Sequence, residues 1–130
     1  WLKQGATSLW EGFKENDDVV SSKNHHFWGF ISAWFIKNLA GLQYNPTGKN
    51  LKSANVAPNF LYPLDDAEAF FDSNFGRIFT RWEKQNEKIE LTVNVPEEFE
   101  GEIILPKDYV FLNGETRCAL KRGTFTVIKK

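Results

Sequence analysis

Ile89-Glu90-Leu91-Thr92-Val93-Asn94-Val95 is the stretch on which the fold turns. Its apolar residues stand at every second position, with Glu90, Thr92 and Asn94 between them. Successive side chains of a strand point to opposite faces, so this alternation predicts a strand with one buried and one wet face. The β-branched residues that fill it suit a pleated, half-buried surface. Gln85-Asn86-Glu87 and Pro96-Glu97-Glu98 break the pattern on either side.

The same period of two recurs outward from that run, over residues 53–60, 67–72, 76–83, 101–105, 109–112 and 123–128. Asn113-Gly114 predicts a two-residue hairpin. About seven to eight short strands, with turns about every 8–12 residues, predict a mainly β protein built as an antiparallel β-sandwich. Phe70, Phe71, Phe75, Phe79 and Trp82 read as part of its core, and no exposed aromatic platform is evident.

Toward the other end the period changes. Phe27, Phe30, Ile31, Trp34, Phe35 and Leu39 recur at three- and four-residue steps, which predicts a helix over residues 22–41. Ser21, Ser22 and Asn24 are candidate N-caps. Gly41 stands where a left-handed residue would end the helix, with Leu42 placed to fold back on it. Residues 43–50 read as a turn-rich connector. The expected organisation is therefore a helical segment over 1–42, a linker over 43–50 and a β-sandwich domain over 51–130.

Composition narrows the function. Sixteen basic and 17 acidic residues give a formal net charge of −1 with no basic stripe, which argues against a nucleic-acid partner. No apolar run reaches the roughly 20 residues of a membrane span. Cys118 is the single cysteine, so no internal disulfide is possible, no cysteine metal site is suggested, and a structural thiol in a strand is the expectation. Asp17-Asp18 and Asp65-Asp66 lack convergent partners at metal-ligand spacing, and no metal or other cofactor is expected. The chain starts at Trp1 and contains no methionine, which predicts a piece of a longer polypeptide.

Chemistry concentrates near the start. Glu11 and His25 flank a short polar loop with aromatic residues on both sides. By itself Glu11 would be an ordinary solvated carboxylate, and His25 a capping or buried structural histidine. Trp10 could stack on a pyranose face, but core packing is the preferred reading.

Gly5-Ala6-Thr7-Ser8-Leu9-Trp10-Glu11 and Ser22-Lys23-Asn24-His25, read together, resemble a signature of the bacterial α-L-rhamnosidases. The resemblance continues through Ala33-Trp34-Phe35 and Leu39-Ala40-Gly41, near the end of that family's helical α/α barrel. Gly76-Arg77-Ile78, Trp82, Leu91-Thr92-Val93, Val95-Pro96 and Ile104-Leu105-Pro106 look like its C-terminal β-sandwich. Phe13 stands where the family often has an aromatic shortly after the Glu. The resemblance implies inverting hydrolysis of terminal α-L-rhamnosides, with Glu11 as general base and His25 bonded to a sugar hydroxyl. Nothing in the chain resembles the upstream segment that carries the family's general acid, so the chain alone is expected to be inactive. The implied partners are a rhamnose-containing glycoside or polysaccharide and the remainder of the barrel, with self-association through the apolar helix when that barrel is missing. The alternative is a non-catalytic β-sandwich module, structural or carbohydrate-binding, from another α/α-barrel glycosidase.

Overall fold

The computed structural model describes residues 2–12 and 22–130, with backbone only for Phe27 and Trp28. The chain forms two compact units, Trp1–Trp34 and Phe35–Lys130.

The larger unit is the predicted sandwich. One sheet has five strands in the order β3 (Asp66–Ser73), β4 (Gly76–Gln85), β5 (Lys88–Asn94), β9 (Gly123–Lys129), β7 (Tyr109–Phe111). The other has four, in the order β1 (Leu42–Tyr44), β2 (Ala54–Val56), β6 (Glu102–Ile104), β8 (Arg117–Ala119). All pairings are antiparallel except β2 with β6. The alternation that predicted β5 is realised in full: Ile89, Leu91 and Val93 are buried, and Glu90, Thr92 and Asn94 face the other way. Leu91 stands across from Trp82 on one side and Phe125 on the other.

Val56 and Ile103 from the small sheet join Ile78, Trp82, Leu91 and Val127 from the large one in a single buried cluster. Full burial of such aliphatic side chains contributes about 1.5–3 kcal/mol each. Trp82 anchors it. Phe60 meets the indole edge-on, with centroids 5.4 Å apart, and the indole N–H donates to the Leu39 carbonyl at 2.9 Å. Cys118 lies half-buried in β8, where burial pushes its thiol pKa above the ordinary value.

Three features depart from the sequence expectation. The first is the helical segment, which starts at His26 and is broken into a 3-10 turn (His26–Gly29), a short α-helix (α1, Phe30–Trp34) and a π turn (Phe35–Leu39). Residues 22–25 are engaged in backbone pairing with residues 9–11, so the helix cannot begin there. Ser22 Oγ accepts the Asn24 N–H at 3.2 Å, closing a local turn instead of capping a helix. The π turn ends as predicted at a left-handed Gly41, φ +84°, whose missing side chain leaves room for the Ala57–Pro58 backbone.

The second is the Asn113-Gly114 turn. It is tight, with the Gly114 N–H donating to the Phe111 carbonyl at 2.8 Å, but it joins strands of different sheets. β7 pairs with β9 and β8 with β6, so the turn carries the chain across the sandwich and not into a hairpin. Hairpins with two-residue loops occur instead at Asn74-Phe75, between β3 and β4, and at Asn86-Glu87, between β4 and β5, with Asn86 at φ 57°.

The third is the aromatic set. Trp82 is fully buried and Phe79 half-buried, whereas Phe70, Phe71 and Phe75 are exposed. The pleat turns Phe70 outward beside Phe79, and Phe75 sits in the β3–β4 turn. Phe70 is therefore an exposed ring on the outer face, where core packing was expected.

Candidate functional site

The candidate residues lie in the smaller unit, where two extended segments meet. The His25 N–H donates to the Leu9 carbonyl at 2.7 Å, and the Glu11 N–H donates to the Ser22 carbonyl at 2.8 Å. Ser8 Oγ donates to the Lys23 carbonyl, adding a side-chain tie between the same two segments. The Ser22 N–H returns a bond, at 3.0 Å, to Oε2 of Glu11 rather than to its backbone carbonyl. That bond sets the direction of the carboxylate.

These ties bring Glu11 and His25 together. His25 Nδ1 is 3.8 Å from Glu11 Oε2, with the imidazole 29% and the carboxylate 50% exposed. The pair is an ion pair only when the imidazole carries a proton. His26 stacks beside His25 at a centroid distance of 5.8 Å and is itself exposed. Trp10 is half-buried, and the Lys23 ammonium stands 5.0 Å from its ring centroid, within cation–π range. An open hollow of about 470 Å³ is lined by Leu2, Ala6, Thr7, Ser8 and Leu9, and neither Glu11 nor His25 is among these lining residues.

The Glu11–His25 grouping was visible in sequence; the Ser22 amide and the Lys23–Trp10 contact were not. A backbone N–H carries no residue signature, and Lys23 meets Trp10 only once the two segments pair. Phe13, Asp17-Asp18 and the loop up to Ser21 lie outside the described residues. Asp65 and Asp66 serve the sandwich: the Asp65 carbonyl accepts the Lys84 N–H at 2.8 Å, and Asp66 approaches Arg81 at 3.6 Å. Among the described residues no group of three or more His, Cys, Asp or Glu side chains converges on a cation site, and no helix is long and apolar enough to cross a membrane.

Comparison with known proteins gives the chain its family. An α-L-rhamnosidase of Formosa agariphila is 31% identical over 114 residues, covering 82% of this chain but 12% of that protein. One from Streptomyces avermitilis is 26% identical over 137 residues, covering 92% of this chain and 13% of that protein. The chain thus spans about an eighth of the length of the relatives it matches. The fold is shared with the α-L-rhamnosidase of Dictyoglumus thermophilum, at a TM-score of 0.78 and 21% identity over 99% of this chain and 17% of that one. It is shared too with the Streptomyces avermitilis α-L-rhamnosidase solved with L-rhamnose, at a TM-score of 0.74 and 22% identity over 98% of this chain and 14% of that one. The family model described as the bacterial α-L-rhamnosidase C-terminal domain matches residues 41–117, more than half of the sequence, and the chain belongs to that family.

Proposed function

We propose that the chain works as the C-terminal part of an inverting α-L-rhamnosidase, with Glu11 as general base and His25 as a contact to the sugar. The observation that carries this reading is the juxtaposition of Glu11 and His25 at 3.8 Å, with the carboxylate aimed by the Ser22 amide. In the proposed step a water oxygen bonds to the anomeric carbon and gives its proton to Glu11. The bond from that carbon to the leaving oxygen breaks, and a general acid protonates the leaving oxygen. With Nδ1 directed at Glu11, Nε2 is the ring nitrogen that would meet a sugar hydroxyl.

Inversion needs two carboxyl groups about 6.5–9.5 Å apart, so that water fits between the base and the sugar. Among the described residues before Phe35, Glu11 is the sole carboxylate. The acid in this reading therefore comes from outside these segments, which agrees with a chain spanning 12–13% of its relatives. The reading makes the isolated chain inactive.

The test is Glu11→Gln in the longer polypeptide. Loss of a general base should lower kcat for an aryl α-L-rhamnoside by about 10²–10⁴-fold, while calorimetry still detects rhamnose binding. Turnover close to that of the unaltered enzyme would remove Glu11 from the mechanism. Hydrolysis of the same substrate by the purified 130-residue chain would show that no outside acid is required.

A further inference from the structure

The outer face of the five-stranded sheet carries a row of groups that the Glu11 site does not use. Phe70 of β3 stands directly across from Phe79 of β4, and Phe79 across from Asn94 of β5. The neighbouring rows are Asp72 with Arg77 on one side, and Glu68 with Arg81 and Thr92 on the other. Phe70 is 54% exposed. The Arg77 guanidinium lies 4.3 Å from its ring centroid and is fixed there by a two-pronged bond to Asp72, at 2.6 and 2.8 Å. Arg81 is held far less firmly, reaching Asp66 and Glu83 only at 3.6 and 3.5 Å. Its Nε and the Oδ1 of Asn94 are occluded and lack a hydrogen-bond partner among the described residues.

We propose that this face binds one pyranose unit of a neutral glycan. The sugar's C–H face would rest on the part of the Phe70 ring that Arg77 leaves open and on the edge of Phe79, and its hydroxyls would meet Asp72 and Arg81. The apolar ground is the exposed Phe70 ring with the half-buried Phe79 across from it, and charged groups border it on both sides. A specific protein interface buries about 800 Å² per partner, far more than this ground offers, which disfavours a protein partner. A sugar ring presents an apolar C–H face and a polar rim at that scale. A neutral ligand is favoured because the flanking rows carry both signs, Asp66, Glu68, Asp72 and Glu83 against Arg77 and Arg81. Asp72 keeps acceptor capacity beyond its two bonds to Arg77. Swinging Arg81 off its two long contacts would turn Nε toward a hydroxyl, satisfying a group that is costly to leave unpaired.

The choice of rhamnose as the sugar rests on the function proposed above, whereas the face and its chemistry do not. The test is a titration of the 130-residue chain with methyl α-L-rhamnoside, followed by backbone amide NMR shifts. Shifts should cluster at Phe70, Asp72, Phe79 and Arg81. Phe70→Ala should weaken binding roughly three- to tenfold, the scale of one aromatic contact. Arg81→Gln provides a second variant that keeps the rings, and it too should weaken binding several-fold, while Glu11→Gln should leave binding at this face unchanged. Shifts confined to the neighbourhood of Glu11 and His25 would overturn this proposal and leave the catalytic reading standing. Unaltered affinity in both Phe70→Ala and Arg81→Gln would overturn it as well. So would a Phe70→Ala effect seen only as a lower melting temperature of the longer polypeptide, which would assign the face to packing between domains.

Discussion

Glu11 shows how little of a site's geometry a side chain carries by itself. Its direction comes from the Ser22 amide, and its nearness to His25 comes from the Leu9–His25 backbone bond. The residue types were legible through the resemblance; the hydrogen bonds that orient them belong to the backbone and leave no trace in the letters. Asp72 poses a simpler residue-scale question. The Arg77 side-chain hydrogen bond, helped by its charge and opposed by burial, holds the Asp72 carboxyl below the usual carboxylate range. A folded-state value below the unfolded one means that the pair's contribution is complete above the ordinary aspartate value of about 3.9. It is lost as pH falls through the lowered value. The melting temperature of Asp72→Asn should therefore lie below that of the parent sequence near neutral pH, and the gap should close on acidification. A gap independent of pH would show that the ion pair is not its cause.

At the scale of elements, alternation made the long strands legible and located β2, β6 and β7, but it missed β1 and β8. β4 and β5 gave ten and seven residues of pattern. β1 and β8 are three residues each, too short to show a period, and both lie at the edge of their sheet. The helix was over-read because its apolar spacing ran back into a segment committed to pairing with residues 9–11. The meeting of β2 with β6 depends on a glycine. At Gly101, φ +142°, a Cβ would stand 1.8 Å from the Ala54 carbonyl oxygen, a contact with backbone that cannot yield cheaply. Gly114 also has a positive φ, +85°, but open space around it. Gly101→Ala should cost about 2–3 kcal/mol in urea denaturation and Gly114→Ala about 1 kcal/mol. Equal losses would show that the close approach of the two strands adds nothing beyond backbone strain.

For the molecule as a whole, the fold class was readable because one alternating run dictated a buried face and others repeated it. The sheet order was not, since sequence spacing does not reveal that the chain changes sheet at Asn113-Gly114. Phe30, Ile31 and Trp34 are 82%, 53% and 44% exposed, a concentration of apolar surface that favours association. The isolated chain should self-associate with rising concentration in sedimentation experiments, and Phe30→Glu should weaken that tendency. A strictly monomeric chain would refute the expectation.

The position of β9 carries a consequence for synthesis. β9 is the neighbour of both β5 and β7, although it follows them in sequence. A nascent chain that has emerged only as far as Arg122 holds β3, β4 and β5 as a meander whose β5 side is open, with β7 unattached to it. Open strand edges are templates for pairing with other chains. Until residues 123–129 have emerged, the sheet lacks the strand that joins β5 to β7, and that is the interval in which its open edge can pair with other chains.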